Sequence, residues 1–415
     1  MSVRRIAHRA VLLCTRMRTI TATLLVLAAL LAGAAEAAAI SESKLKSTIA
    51  REMARAPAAS GAYVRDMDSG AELYALRENA VRIPASVEKL FTTSSALLRL
   101  GPSATLQTRA VVAPDAVVEP GGLLRGDLIL VGGGDPFFGD ESAARLAKAI
   151  RATGIRRVEG AVVGDESAFD GRRSVCCAGY DPDLGGVLSA LAYDRGIFRG
   201  RARLDAPTFA AGRFAAQLEA AGITVVGKSR AAPAPDGART VAFVPSRTIG
   251  EMVQFINVPS NNFAAEMLFR ELGATYREEG TLAAGADVVR DTLDDFGVRP
   301  RIIDGSGLSR RNRATPRQVV RLLERMHNQD IAQTFRDSLA VTGVTGTVKA
   351  RMRSTAAAGR CSVKTGTLRL VSALAGYCRT ANGRDLGFAL MFNKANTPAA
   401  KAREDRITVA IARLG

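Results

Sequence analysis

The middle of this chain differs in texture from its two ends, and that contrast constrains the fold more than any other feature of the sequence. Before residue 102 the pattern reads as a helix and then a hairpin. "SESKLKSTIAREMAR" carries a Ser cap and sets Leu45, Ile49 and Met53 on one face, while "GAYVRDMDSGAELYALREN" alternates about a DSG turn. Val87, Leu90, Phe91, Ser94, Leu97 and Leu98 then fall on one stripe at helical spacing, and Gly101-Pro102 ends that amphipathic helix. From 102 to 244, short apolar strands ("GDLILVG", "GAVVGD", "ITVVG") alternate with helices ("ESAARLAKAIRATG", "FAAGRFAAQLEAAG"), and the stretch leaves through "AAPAPDGART". Helical patterns resume as far as "QVVRLLERMH". Three strands follow, "SVKTGTL", "RLVSALAGYC" and "RDLGFALMFN", and a last helix begins at about Pro398. The expected fold is a mixed α/β (α+β) domain built from residues 40–101 and 245–415 and closed by both chain ends, with a second mixed α/β domain, 102–244, inserted in it.

The N-terminus stands apart. Arg4, Arg5, Arg9, Arg16 and Arg18 precede an apolar run from about Ile20 to Ala35, and small residues with an A-x-A pattern follow. Residues 1–39 therefore read as a signal peptide, too short in its apolar part for a comfortable membrane span, and place the working chain in the periplasm or among secreted proteins. The formal charge of +17 falls to about +13 without that segment, which holds five Arg and one Glu. With 5% aromatics, no Trp and dispersed Arg, the chain has no nucleic-acid module; outside the membrane a basic protein meets acidic lipid or wall polymers. Cys361 and Cys378 lie on adjacent strands and would face each other in a symmetrical hairpin, as an oxidised pair suits a secreted protein. The vicinal Cys176-Cys177 has no evident role.

Chemistry is narrowed first by what is scarce. Beyond the leader the only histidine is His327, mid-helix beside Leu322, Leu323 and Met326, and it reads as a packing or surface residue. A Ser-His-Asp triad has no base to use, and no His/Cys spacing suits a metal, so no cofactor is expected. "LILVGGGDP" lacks the arrangement for binding phosphate and reads as a tight turn. A serine nucleophile without histidine requires another base, and a lysine with a depressed pKa serves. Ser86 and Lys89, at i and i+3, share a helix face without help from tertiary structure. Ser41-Lys44 repeats the spacing but leads into a polar segment and is rejected. Two further motifs follow in order: Ser260 and Asn262 in "VPSNNFAAEML", and Lys364, Thr365 and Gly366 in "SVKTGTL". Ser260 can relay a proton and Asn262 can bond a substrate amide. Lys364 adds positive charge, Thr365 offers a hydroxyl to a carboxylate, and Gly366 lets backbone approach closely.

In this order S-x-x-K, S-x-N and K-T-G resemble the motifs of penicillin-binding proteins and serine β-lactamases. Across residues 60 to 395 the sequence resembles the class C low-molecular-mass penicillin-binding proteins, D-Ala-D-Ala carboxypeptidases/endopeptidases of peptidase family S13. "PASVEKL", "GDLILVGGGDPFF", "GAVVGDESAFDG", "SNNFAAEML", "DGSGLSRRNRATP", "TGVTGTVKAR" and "KTGTL" carry that likeness. The resemblance implies a transpeptidase-like domain, an antiparallel sheet flanked by helices. It also implies Ser86 as acylated nucleophile, Lys89 as general base, Ser260 and Asn262 beside the cleft, and Lys364 and Thr365 on the substrate carboxylate. The backbone N–H groups of Ser86 and Thr367 would form the oxyanion hole. Substrates would be peptidoglycan stem peptides ending in D-Ala-D-Ala, with β-lactams as covalent inhibitors. Family members often nest a further domain in the insertion; the short run from "ALAYDRGIFRGRARL" to "DAPTFAAGRF" predicts that it is absent or reduced. A β-lactamase is the rival activity, disfavoured because no Glu lies between Gly280 and Leu323; a non-catalytic wall-binding protein is disfavoured by the intact Ser86, Lys89 and Lys364.

Overall fold

The computed structural model describes residues 39–177 and 179–415. Residues 1–38 of the leader lie outside the described residues. Along the chain, α1 (Glu42–Ala54) starts at Ser41, whose side chain accepts the Lys44 amide, and buries Leu45, Ile49 and Met53. The hairpin of β1 (Gly61–Asp66) and β2 (Glu72–Leu76) follows, then a single 3₁₀ turn, Ala85–Glu88, running directly into α2 (Lys89–Leu100). The expected stripe on this helix proves too narrow. Every side chain from Lys89 to Leu97 is buried, whereas Leu98 is only partly so. The helix runs through the middle of the domain, and two of its hydroxyls bond within it: that of Thr93 donates to the Lys89 carbonyl (2.7 Å) and that of Ser94 to the Phe91 carbonyl (3.1 Å).

The inserted unit contains β3 (Thr105–Val112), β4 (Leu128–Val131), α3 (Asp140–Ala152), β5 (Val162–Asp165), α4 (Ala206–Ala220), β6 (Arg230–Ala231) and β7 (Arg239–Thr248). Its strands form a five-stranded sheet in the order β6-β5-β4-β3-β7. Helices α3 and α4 cover one face around Leu146, Ile150, Phe214 and Leu218. Strand β7 pairs with β3 as far as Thr248↔Thr105, so this ladder runs past residue 244, where the composition changes. Between Glu166 and Asp205 the described residues hold only a 3₁₀ turn (Tyr193–Gly196) and a hairpin of two-residue strands, Ile197–Phe198 and Arg201–Ala202.

After the insertion come α5 (Ile249–Asn257), α6 (Asn262–Arg277), α7 (Leu282–Asp294) and α8 (Pro316–His327). His327 is the last residue of α8 instead of mid-helix, 3.4 Å from Asp68 and beside the Tyr377 ring, because the helix ends against the β1–β2 turn. Then β8 (Ala340–Val341), β9 (Cys361–Leu368), β10 (Val371–Arg379), β11 (Asp385–Asn393) and α9 (Thr397–Ala412) complete the chain. The main sheet is antiparallel in the order β8-β9-β10-β11-β1-β2. One face packs on α1 and α9, with Ile49, Phe388, Leu390 and Ile411 at the contact. The other face packs on the helices around Phe91, Ile256, Leu268 and Leu323. Both faces are covered, which is why β10 and β11 are near-continuous apolar runs. Cys361 and Cys378 are register partners and form a disulfide.

Candidate active site

The turn that carries Ser86 is wedged between β9 and the loop that follows α7. A 3₁₀ turn has three residues per turn, so side chains at i and i+3 eclipse, and Lys89 Nζ comes to 3.0 Å from Ser86 Oγ. Tertiary structure then fixes the ammonium from two other directions. Lys89 Nζ donates to Asn262 Oδ1 (2.6 Å) and to the Ser306 carbonyl (2.5 Å). Asn262, at the start of α6, is itself oriented by donating through Nδ2 to the Asp183 carbonyl (2.7 Å). Ser260 sits in the turn before α6 at φ 62°, a left-handed conformation uncommon for a residue other than glycine; its Oγ accepts from Lys364 Nζ at 2.8 Å. Lys364 also donates to the Thr365 carbonyl (2.9 Å).

Strand β8 pairs only with Ser362 and Val363, so on that side the Lys364–Leu368 half of β9 faces the cleft instead of another strand. Gly366 lies against the turn that carries Ser86. A Cβ at this position would stand 2.5 Å from the Pro84 carbonyl oxygen and 3.1 Å from the Ser86 and Val87 amide nitrogens. Thr367, the next residue, is exposed. All eight residues singled out in the sequence therefore gather here, contributed by the 3₁₀ turn, α2, the α5–α6 turn, the start of α6 and β9.

Burial sets the electrostatics. It pushes the Lys89 pKa down to about 8, against the opposing pull of Glu88, Asp304 and Glu266. Lys364 is pushed well below the ordinary lysine value, first by burial and then by the charge of Lys89. The positive charge that the sequence reading expects of Lys364 is thus opposed by its surroundings. Glu88 is fully buried and raised well above the usual carboxylate range by burial and by its acidic neighbours Asp304 and Glu266. Burial, with Asp304, pushes Glu266 up to about 7.

Several groups in contact with this constellation carried no role in the sequence. The "DGSGLS" loop was recognised, but not the carbonyl of Ser306 as an acceptor for Lys89. Buried Asp304 shapes that loop, accepting from the Gly307 amide (2.9 Å), the Ser309 amide (2.6 Å) and Asn312 Nδ2 (2.6 Å). Glu266 Oε1 accepts the Ser306 amide (2.8 Å), so Ser306 is held by Glu266 through its N–H and by Lys89 through its C=O. The Thr347 and Thr365 hydroxyls lie 2.8 Å apart. Glu266 stands on α6 four residues after Asn262, one helical turn along the same face, and that spacing was the available signal.

A serine and a buried lysine in contact, a second serine–lysine pair across the cleft, and an antiparallel sheet bearing K-T-G define the class: an enzyme with the fold shared by penicillin-binding proteins and serine β-lactamases. The D-Ala-D-Ala carboxypeptidase 3 (S13) family model matches residues 42–183 and 184–414. The chain belongs to that family and is a serine-type D-Ala-D-Ala carboxypeptidase. It is 31% identical over 442 residues to a D-alanyl-D-alanine carboxypeptidase of Actinomadura sp. strain R39, a match covering 86% of this chain and 81% of that one. It is also 31% identical over 381 residues to the carboxypeptidase DacB of Mycolicibacterium smegmatis, with 85% and 80% coverage. The crystal structure of penicillin-binding protein 4 from Haemophilus influenzae superposes with a TM-score of 0.75 over 86% of this chain and 97% of the other, at 20% identity, and so shares the fold.

Proposed function

We propose that this enzyme removes the terminal D-Ala from peptidoglycan stem peptides through an acyl-enzyme on Ser86, and that β-lactams acylate the same oxygen. The observation carrying this reading is the 3.0 Å contact of Ser86 Oγ with a buried lysine whose pKa is lowered to about 8. Neutral Lys89 takes the Ser86 proton as Oγ attacks the carbonyl carbon of the penultimate D-Ala. The C–N bond to the terminal D-Ala breaks, its nitrogen is protonated, and water later releases the acyl group. The Ser86 and Thr367 N–H groups face the developing oxyanion, which the close approach at Gly366 permits. Lys364 and Thr365, with Thr347 behind, receive the substrate carboxylate; Ser260, bonded to Lys364, can pass a proton to the leaving nitrogen. The open edge of β9 suits an extended peptide lying alongside it.

The working location belongs to the same proposal: the periplasm or the exterior, reached through the leader at residues 1–39. The Cys361–Cys378 disulfide supports an oxidising compartment. Among the described residues no helix is long and apolar enough to cross a membrane. Contact with acidic lipid or wall polymers is the partner reading that the basic composition supports.

The test is intact-protein mass spectrometry after brief exposure to benzylpenicillin, with peptide mapping. A lasting adduct on the Ser86 peptide, abolished in Ser86→Ala, is the expected result. Rapid penicillin hydrolysis without an adduct would overturn the reading in favour of a β-lactamase.

A further inference from the structure

Cys176 and Cys177 are the free cysteines among the described residues, and both are exposed. Their sulfurs lie 2.9 Å apart, inside ordinary sulfur–sulfur contact, so bond formation at about 2.0 Å needs a short approach. The buried Ser174 hydroxyl organises the pair. It donates to the Cys177 carbonyl (2.9 Å), accepts the Cys177 amide (3.1 Å), and sits 3.2 Å and 3.4 Å from the sulfurs of Cys177 and Cys176. Contacts with Cys176 and then Ser174 hold the Cys177 thiol below its ordinary pKa, which favours the thiolate. The other pair, Cys361–Cys378, is fully buried and closed to exchange.

The position of the pair gives it a consequence. Arg173 and Leu188 bond reciprocally at the base of one loop: the Leu188 amide donates to the Arg173 carbonyl (3.1 Å) and the Arg173 guanidinium to the Leu188 carbonyl (3.1 Å). Arg173 is further clamped to Glu166 through two 2.6 Å bonds. The loop so closed carries both thiols and also Asp183, whose carbonyl orients Asn262 against Lys89. We propose that Cys176 and Cys177 form a thiol–disulfide exchange site on the loop that also carries Asp183, closing to a vicinal disulfide by reaction with a small disulfide and thereby disturbing Asn262. The Cys177 thiolate attacks one sulfur of the small disulfide and expels a thiolate. Cys176 then attacks the Cys177 sulfur in the mixed disulfide and expels the second. Two protein thiols are oxidised and one disulfide becomes two thiols, with the protons passing to the released thiolates.

The experiment treats the full-length secreted protein with glutathione disulfide and follows intact mass, peptide mapping and the rate of benzylpenicillin acylation. The expected product is lighter by two hydrogen atoms, maps to the Cys176–Cys177 peptide and is reversed by reductant. Acylation should slow by about fivefold, the worth of one ordinary hydrogen bond at Asn262. The Cys176→Ser single variant should instead retain one glutathione on Cys177, and the Cys176→Ser/Cys177→Ser double variant should acylate like the reduced protein whatever the treatment. No reaction, or stable glutathione on both cysteines of the unsubstituted protein, would overturn the exchange site. Ring closure with unchanged acylation would overturn its link to Asn262.

Discussion

Substituting Gly366 by alanine tests whether the cleft is set by contact between β9 and the nucleophile's turn. The added methyl would stand 2.5 Å from the Pro84 carbonyl oxygen, whereas ordinary contact begins at 3.4 Å, so some 0.9 Å must be found. Strand β9 cannot readily retreat, because it is paired with β10 from Cys361↔Cys378 to Leu368↔Val371. The turn is therefore what moves, and the Pro84 carbonyl is the one that accepts the Val87 amide and closes it. Ser86 would be carried away from Lys89, which stays fixed by Asn262 and Ser306. Misplacement of a reacting group by 1 Å can lower the rate by about 10²-fold, and overpacking should lower stability by about 1–3 kcal/mol. The expected outcome for Gly366→Ala is a folded protein whose benzylpenicillin acylation rate, measured by intact mass, falls by one to two orders of magnitude. Circular dichroism melting separates this from unfolding. Wild-type acylation in a folded variant would refute the claim that backbone contact at Gly366 positions the nucleophile.

Two further expectations follow from the same geometry. Because the base must be unprotonated and burial lowers Lys89 from the usual lysine value to about 8, acylation should rise with pH, in proportion to the neutral fraction, and level off above that value; a flat profile across neutral and mildly alkaline pH would exclude Lys89 as the titrating base. Replacing both Cys361 and Cys378 by alanine opens a link of sequence separation 17 and should lower unfolding free energy in urea by about 3 kcal/mol, with no loss expected if the hairpin ladder alone defines the strand pair.

Local signals served well wherever the determinant was itself local. The Ser41 cap, the DSG hairpin, the three last strands and the Ser86–Lys89 contact all depend on residues a few positions apart. The stripe on α2 misled because burial on every side leaves a helix no polar face to advertise. Strand pairing across the chain, and not composition, ends β7 at Thr248, four residues past the change of texture at 244. His327 was misplaced by a few residues for a similar reason: the helix end is set by what it packs against.

What the sequence determined by itself was the set of chemical groups and their order: a serine and lysine one turn apart, then S-x-N, then K-T-G on a strand. Only the tertiary structure decided what those groups can do. Lys89 meets Asn262 and the Ser306 carbonyl 173 and 217 residues away, and its pKa is lowered by burial that no local pattern encodes. The acidic groups Glu266 and Asp304 join Glu88, its neighbour in sequence, from two distant segments. Spacing along a helix or strand is fixed by backbone geometry and can be read directly, whereas desolvation and the convergence of distant hydrogen-bonding groups exist only once the chain has packed.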